Sequence, residues 1–296
     1  MFEFERRAAR MTLVRYQPAP PLDTWIECFW WSNRDQSVGP ECMLPTGAAS
    51  LIFLLGDETL SCWAPNRRNT PLLWSGSIVH GPQTQHYIAG PKPPGRTVGI
   101  ALRPGAVAAV LGVPASEVVD RHVPLNRVWG GRAAALRARL REATEPQQAF
   151  AILEAELNMR LRRPLLVHPA VANSIAKLTA GRPGTRMSDM RREMNVSTRH
   201  FIGLFKTAMG MTPRQYYRIR RFSSVLRALA AEGAGNLADL AAEKGYADQP
   251  HLNKEFREFT GTTPSRYRPR NAQSPYHSAL TASPAPSSGK KNPRRA

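Results

Sequence analysis

The sequence predicts an α+β protein with two unlike halves: an N-terminal strand-rich barrel or sandwich with closing helices, and an all-α C-terminal domain. Three observations predict it. Residues 11 to about 103 break into strand-length apolar runs separated by turn residues. From Pro104 onward the apolar spacing changes to three and four. A 21-residue unit then occurs twice, at 197–217 and at 248–268.

The strand-like runs are TWIECFWW, ASLIFLLGD, PLLWSGSIVHG, QHYIAG and RTVGIALRPG, each bounded by Gly, Pro, Asn or Asp. Several short strands without long helices read as a small barrel or sandwich, whose interior is either a solid core or a ligand pocket. Trp30, Trp63, Trp74 and Tyr87 fall within these runs and suit either. Residues 1–10 show no fold signal, so Met11 is an alternative start. Their charges stand where a secretory signal needs an apolar core, and no apolar run approaches the ~18 residues of a membrane span, so a cytoplasmic protein without membrane contact is expected.

Helices are expected near Arg132–Ala143 and over 146–162. In the second, Phe150, Leu153, Leu157 and Leu161 step by three and four, a stripe that either covers the strands or pairs with a second subunit. The prolines of RRPLLVHPAV mark a joint, giving domains at 1–163 and 164–270. The Pro/Ser/Ala-rich stretch 271–296 reads as a disordered basic tail.

Forty-one basic residues against 22 acidic ones give a net charge of +19, which points to a polyanionic partner. The excess is uneven: residues 1–163 carry 19 basic and 14 acidic groups, residues 164–270 carry 18 and 8. Cys28, Cys42 and Cys62 are too few and too widely spaced for a disulfide framework or zinc knuckle, and read as buried reduced thiols.

Aligning the two units at an offset of 51 pairs His200 with His251, Phe205 with Phe256, Gly210 with Gly261, Thr212-Pro213 with Thr263-Pro264, and Tyr216 with Tyr267. These six identities exceed the roughly one expected by chance. In the second unit Asn236 caps a helix, Gly245 supplies a left-handed turn, and Asp248 caps the next helix with Pro250 in its first turn. In the first unit Met187, Met190 and Met194 stand for the first helix and Ser197 caps the second. Helix, tight turn and capped helix is the arrangement that places a second helix in a DNA major groove, so the C-terminal domain reads as a double helix-turn-helix.

Periodicity turns Phe201, Leu204, Phe205 and Ala208 inward, with Leu252, Phe256 and Phe259 in the second unit. The opposite faces carry the candidate base contacts: Arg199, Ile202 and Gly203 in the first unit, and Gln249, Asn253 and Lys254 in the second. Arg pairs with guanine, and Asn or Gln with adenine, through two hydrogen bonds each. Ser197, Lys206 and Arg257 are the candidate phosphate contacts. Between the units a helix over Pro213–Ala231, opened by a Thr212/Gln215 capping box and ended by Gly233 and Gly235, spans about 28 Å at ~1.5 Å per residue. That approaches the ~34 Å repeat of DNA, so one chain can set two reading helices into successive grooves of double-stranded DNA.

At these residues, GYADQPHLNKEFREFTGTTPSRYR and MNVSTRHFIGLFKTAMGMTPRQYYRIRR, the sequence resembles the AraC/XylS family of bacterial transcription regulators over about residues 170–269. The resemblance implies two helix-turn-helices joined by a helix, sequence-specific DNA binding and, for an activator, contact with RNA polymerase. LPTGAASLIFLLGD, GPQTQHY and GIALRPGAVAAVLGVPASEVVDRHVPLNRVWG resemble a domain of unknown function found ahead of this module, which implies a sensing or dimerising role: a small-molecule effector, a homodimer, or both.

The rival reading is a metal-binding cupin-like enzyme, with His80, His86 and Glu41 inside the barrel, fused to a nonspecific nucleic-acid-binding domain. A close His-x-His pair followed by a carboxylate is missing, and so are a Gly-x-Ser-x-Gly elbow and a phosphate-binding glycine loop. Neither catalysis nor a cofactor is expected.

Overall fold

The computed structural model describes residues 2–8, 11–63, 71–162, 164, 166–180, 197–232, 235–269 and 275–279. The N-terminal strands are β1 (Phe2–Ala8), β2 (Met11–Tyr16), β3 (Ile26–Arg34), β4 (Glu41–Met43), β5 (Ser50–Leu54), β6 (Thr59–Trp63), β7 (Leu72–Ser75), β8 (Ser77–His80), β9 (Tyr87–Ala89), β10 (Gly95–Leu102) and β11 (His122–Pro124). They form two antiparallel sheets, β1-β2-β3-β10-β5-β8-β11 and, with a late strand β12 (His277–Ala279), β12-β4-β9-β6-β7.

The sheets stay separate and do not close into a barrel. The closing helices α4 (Gly131–Glu142) and α5 (Pro146–Arg160) pack on the larger sheet. Three short helices, α1 (Val107–Leu111), α2 (Ala115–Val118) and α3 (Asn126–Trp129), precede them. Helix α5 opens with a Glu145/Gln148 capping box and Pro146 in its first turn. Its stripe is spent inside the chain. Phe150, Leu153 and Leu157 are buried, and the Phe150 ring stacks on Tyr16 at 5.6 Å and lies 6.1 Å from Phe29.

Two expectations about the ends are corrected. Residues 2–8 form β1, paired with β2; the alternation Phe2-Glu3-Phe4-Glu5 is a strand pattern that a search for apolar runs passes over. Residues 275–279, expected in a disordered tail, make a turn and then β12. The strand has a partner that composition cannot reveal: the open edge of β4.

That pairing carries a buried ionic group. Glu41 on β4 is 2% exposed and accepts hydrogen bonds from Lys92 and from His277 of β12, the latter at 3.1 Å. Burial raises a carboxyl's pKa, but His277 and Lys92 outweigh it and hold Glu41 well below the usual carboxylate range. Glu41 is therefore committed to Lys92 and His277. Among the described residues no group of three or more His, Cys, Asp or Glu is placed to hold a metal ion.

His80 instead faces His122 across the β8–β11 pair, with rings 4.7 Å apart and nearly parallel, and Tyr87 meets both edge-on. Burial lowers the pKa of His122 to about 4, and burial together with His122 and His277 takes His80 well below its ordinary value. The two rings are neutral at pH 7. Cys28 is partly buried, Cys42 and Cys62 are buried, and all three are free thiols.

The C-terminal helices are α6 (Pro169–Ala180), α7 (Thr198–Met209), α8 (Pro213–Glu232), α9 (Leu237–Glu243) and α10 (Gln249–Thr260). They share one core, to which β4 and its flank add Cys42 and Leu44. No helix among the described residues is long and apolar enough to cross a membrane.

Two outcomes follow for stability. Phe150→Ala removes the ring that joins α5 to β2 and β3, and is expected to cost about 3–5 kcal/mol in urea unfolding. An unfolded histidine takes up its proton near pH 6.5, whereas folded His122 resists until about pH 4. Protons then favour the unfolded chain, so stability falls as the pH drops across that window, by roughly 3 kcal/mol for His122. In His122→Phe, which keeps a flat ring beside His80, the slope of the urea midpoint against pH should flatten.

Candidate nucleic-acid interface

Each reading helix is built from a cap, an apolar face and a glycine stop. Ser197 caps α7 by accepting a hydrogen bond from the His200 backbone N–H at 3.3 Å, and Asp248 caps α10 by accepting from His251 at 2.7 Å. Gly210 and Gly261 end the two helices at φ 75° and 73°, in the left-handed region that costs a side chain strain. In the second unit Asn236 caps α9 by accepting from Ala238 at 2.9 Å, and Gly245, at φ 74°, turns the chain into α10. Met187, Met190 and Met194 of the first unit lie outside the described residues.

Helix α8 opens with the expected capping box: the Thr212 N–H donates to Gln215 Oε1 at 2.9 Å, and the Gln215 N–H to Thr212 Oγ1 at 3.2 Å. One end of α8 packs Tyr216 on Phe205 with ring centres 6.1 Å apart. Further along, Phe222 packs on Phe256 at 5.4 Å and on Phe259 at 4.8 Å. Phe201, Phe205, Ala208, Leu252, Phe256 and Phe259 are all buried, while Leu204 is only partly so.

The opposite faces are turned to solvent to different degrees. Ser197, Arg199, Gly203, Lys206, Lys254 and Arg257 are exposed; Ile202, Gln249 and Asn253 are partly buried. The Oδ1 atom of Asn253 is buried and has no partner among the described residues, an acceptor that side-chain rotation can offer to an exocyclic amine.

Sequence reasoning missed the group that fixes the second reading helix. Glu255 lies on the inward face of α10, 4% exposed, among Leu252, Phe256 and Phe259. Arg221 of α8 donates to both its carboxylate oxygens, at 2.9 and 3.0 Å, and Arg218 donates from Nε at 2.8 Å. The Tyr246 hydroxyl donates to Glu255 at 2.9 Å, and burial with the Glu255 charge raises its pKa, which keeps it a neutral donor. Arg221 also lies over the Tyr246 ring, 3.9 Å from its centre, and donates to the Gly245 carbonyl at 3.0 Å. The clasp thus holds the linking helix, the turn and the reading helix together. A usable signal was present: a carboxylate on an otherwise apolar helix face demands a cationic partner. The first unit has Leu204 at the matching position and carries no such clasp.

Comparison with known proteins fits this geometry. Residues 190–270 match the family model of a helix-turn-helix domain. Residues 14–124 match a domain of unknown function. A probable transcriptional regulator, LumQ of Photobacterium leiognathi, is 35% identical over 68 residues, 23% of this chain and 27% of its own length. The virulence regulon transcriptional activator VirF of Yersinia enterocolitica is 31% identical over 85 residues, 29% of this chain and 31% of its own. The chain therefore spans less than a third of these curated relatives. Among solved structures, ToxT from Vibrio cholerae aligns over 78% of this chain and 94% of its own, at 10% identity and a TM-score of 0.41.

Removing the carboxylate from the clasp should be more damaging than removing one arginine. Glu255→Ala leaves Arg221 facing an apolar core without an anion and is expected to cost about 3–5 kcal/mol in thermal or urea unfolding. Arg218→Ala, which leaves Arg221 on Glu255, should cost clearly less.

Proposed function

We propose that the chain is a transcription regulator that reads two adjacent major-groove segments of double-stranded DNA, one with α7 and one with α10. The observation that carries this reading is the pair of capped helices anchored to one linking helix, each turning basic and amide side chains away from the shared core. Arg199, Ile202 and Gly203, with Gln249, Asn253 and Lys254, are the proposed base contacts. Lys206 and Arg257, further along each helix, and Ser197 at its start are the proposed phosphate contacts. The +19 charge supports a strongly salt-dependent, nonspecific component of binding. The regulators LumQ and VirF, similar over 68 and 85 residues, support transcription as the process controlled.

The N-terminal domain is proposed to control the reader through a small-molecule effector. The support is the cluster of His80, His122 and Tyr87 where the two sheets meet, in which the sealed Nε2 atom of His80 has no partner among the described residues. Homodimerisation belongs to the same proposal. Since the α5 stripe is spent on the chain's own sheet, a dimer would use another surface. RNA polymerase is the further partner if the protein activates, and the setting is the cytoplasm. Catalysis has no place in this reading.

Selection of binding sites from random duplexes by the full chain should recover a bipartite sequence; recovery of random DNA would overturn the reading. Arg199→Ala, Gln249→Ala and Asn253→Ala are expected to relax base choice at single positions, each losing about 1–3 kcal/mol of discrimination. Lys206→Ala and Arg257→Ala should weaken all sequences alike and lower the salt slope by about one. Titrations of matched and mismatched duplexes at several salt concentrations separate the two classes.

A further inference from the structure

The glycines that close the two reading helices occupy equivalent positions of the duplicated unit, and the N-terminal domain crowds the first and lies beside the second. A side chain at Gly210 would place its Cβ 2.8 Å from Val119 Cβ and 2.9 Å from the Ala115 carbonyl oxygen. At Gly261 a Cβ would lie 4.0 Å from His86 Cε1, in ordinary contact. The contacts come from segments 81–86 and 115–121, which are far apart in sequence but bound into one plate. The Gly81 N–H donates to the Arg121 carbonyl at 3.0 Å, and the Asp120 N–H to the Pro82 carbonyl at 2.9 Å. The Asp120 carboxylate accepts from the Thr84 N–H and hydroxyl, both at 2.6 Å.

The plate is stiff for reasons local to it. Asp120 sits at φ 53°, a left-handed conformation that aspartate tolerates better than most residues, and its bonds to Thr84 and Pro82 hold it there. Gly81 passes so close to the Val118 carbonyl that a Cβ would overlap it at 1.7 Å. The plate meets the C-terminal end of α7 and lies beside that of α10. The N-terminal halves, with Arg199 and Gln249, project from the other ends.

A stiff body seated on the end of α7, in a domain whose β4 flank also packs into the core around α8, restricts how far the first reader can move relative to the second, beyond what α8 imposes. One base pair inserted between two half-sites shifts them by about 3.4 Å and about 35° around the DNA axis. Readers joined by α8 alone can follow part of that shift; readers also seated on the plate cannot. We propose that segments 81–86 and 115–121 act as a spacing clamp, making the N-terminal domain a determinant of half-site separation. The proposal rests on the DNA-reading function above.

The test uses the full chain and duplexes carrying the selected site with zero, one more or one fewer base pair between its halves. Wild type should lose about tenfold or more in affinity when the spacing changes, the scale of a mismatched position. Val119→Asp sets a carboxylate against the electronegative C-terminal end of α7, and His86→Ala trims the side chain that lies beside the end of α10. Each variant should bind the natural spacing within about threefold of wild type and lose less than about threefold on the altered ones, on the same scale.

Should Val119→Asp fail to fold, a second pair decides. Gly210→Ala and Gly261→Ala carry the same backbone strain, but only the first collides with the plate, so only Gly210→Ala should relax the spacing. Variants that keep the wild-type discrimination, or a wild type that tolerates the inserted base pair, overturn the clamp alone. A wild type that selects no bipartite site overturns the DNA-reading function, and the clamp with it.

Discussion

Helix α8 must serve two cores with a single stripe. Tyr216, Ile219, Phe222, Val225, Leu226 and Leu229 recur at spacings of three and four and are all buried, so the helix has no unshared apolar face. The first reading helix rests its aromatic pair on the Tyr216 end, and the second rests Phe256 and Phe259 on Phe222. Strand β4 adds Cys42 and Leu44 to the same core, which draws the N-terminal domain into it. A change that tilts α8 is therefore felt by both readers and by the smaller sheet, because a close-packed interior transmits displacement.

The two helix-turn-helix units solve the same packing problem differently. The second secures its reading helix with charge buried under an aromatic ring, and the first with leucine at the matching position and with contacts from α1 and α2 of the other domain. A buried ionic clasp contributes little net stability but is costly to leave half-made, so it favours one orientation of α10 over its neighbours. The first unit takes its definition from a second domain. Geometry built into a unit is fixed; geometry taken from a neighbour follows that neighbour.

Much of this was legible in the sequence where local rules decide. Ser197, Asn236 and Asp248 cap helices as their side chains require, Gly210, Gly245 and Gly261 take left-handed turns, and Thr212 with Gln215 forms its box. The inward faces followed from periodicity. The strands were legible as runs, but not their division into two sheets, since pairing partners lie far apart and register leaves no mark in a single chain. Glu255 does not show in the apolar periodicity, which counts only Leu252, Phe256 and Phe259 on that face, and its arginine partners lie more than thirty positions away on α8. Residues 275–279 were passed over because composition described the stretch around them rather than the strand edge awaiting them.

That late strand has a consequence for how the molecule is made. His277 meets Glu41 across 236 positions of chain, so the smaller sheet is finished only after the helical domain between them has been synthesised. Synthesis runs from the N-terminus at about 5–20 residues per second, which leaves β4 with one edge unpaired for on the order of ten seconds or more. Through that interval Glu41 has Lys92 but not its second partner, and Cys42 and Leu44 lack the helices that bury them. An open strand edge invites pairing with another chain. The nascent protein thus has a period of exposure that the finished one lacks, and it ends when the ribosome releases β12.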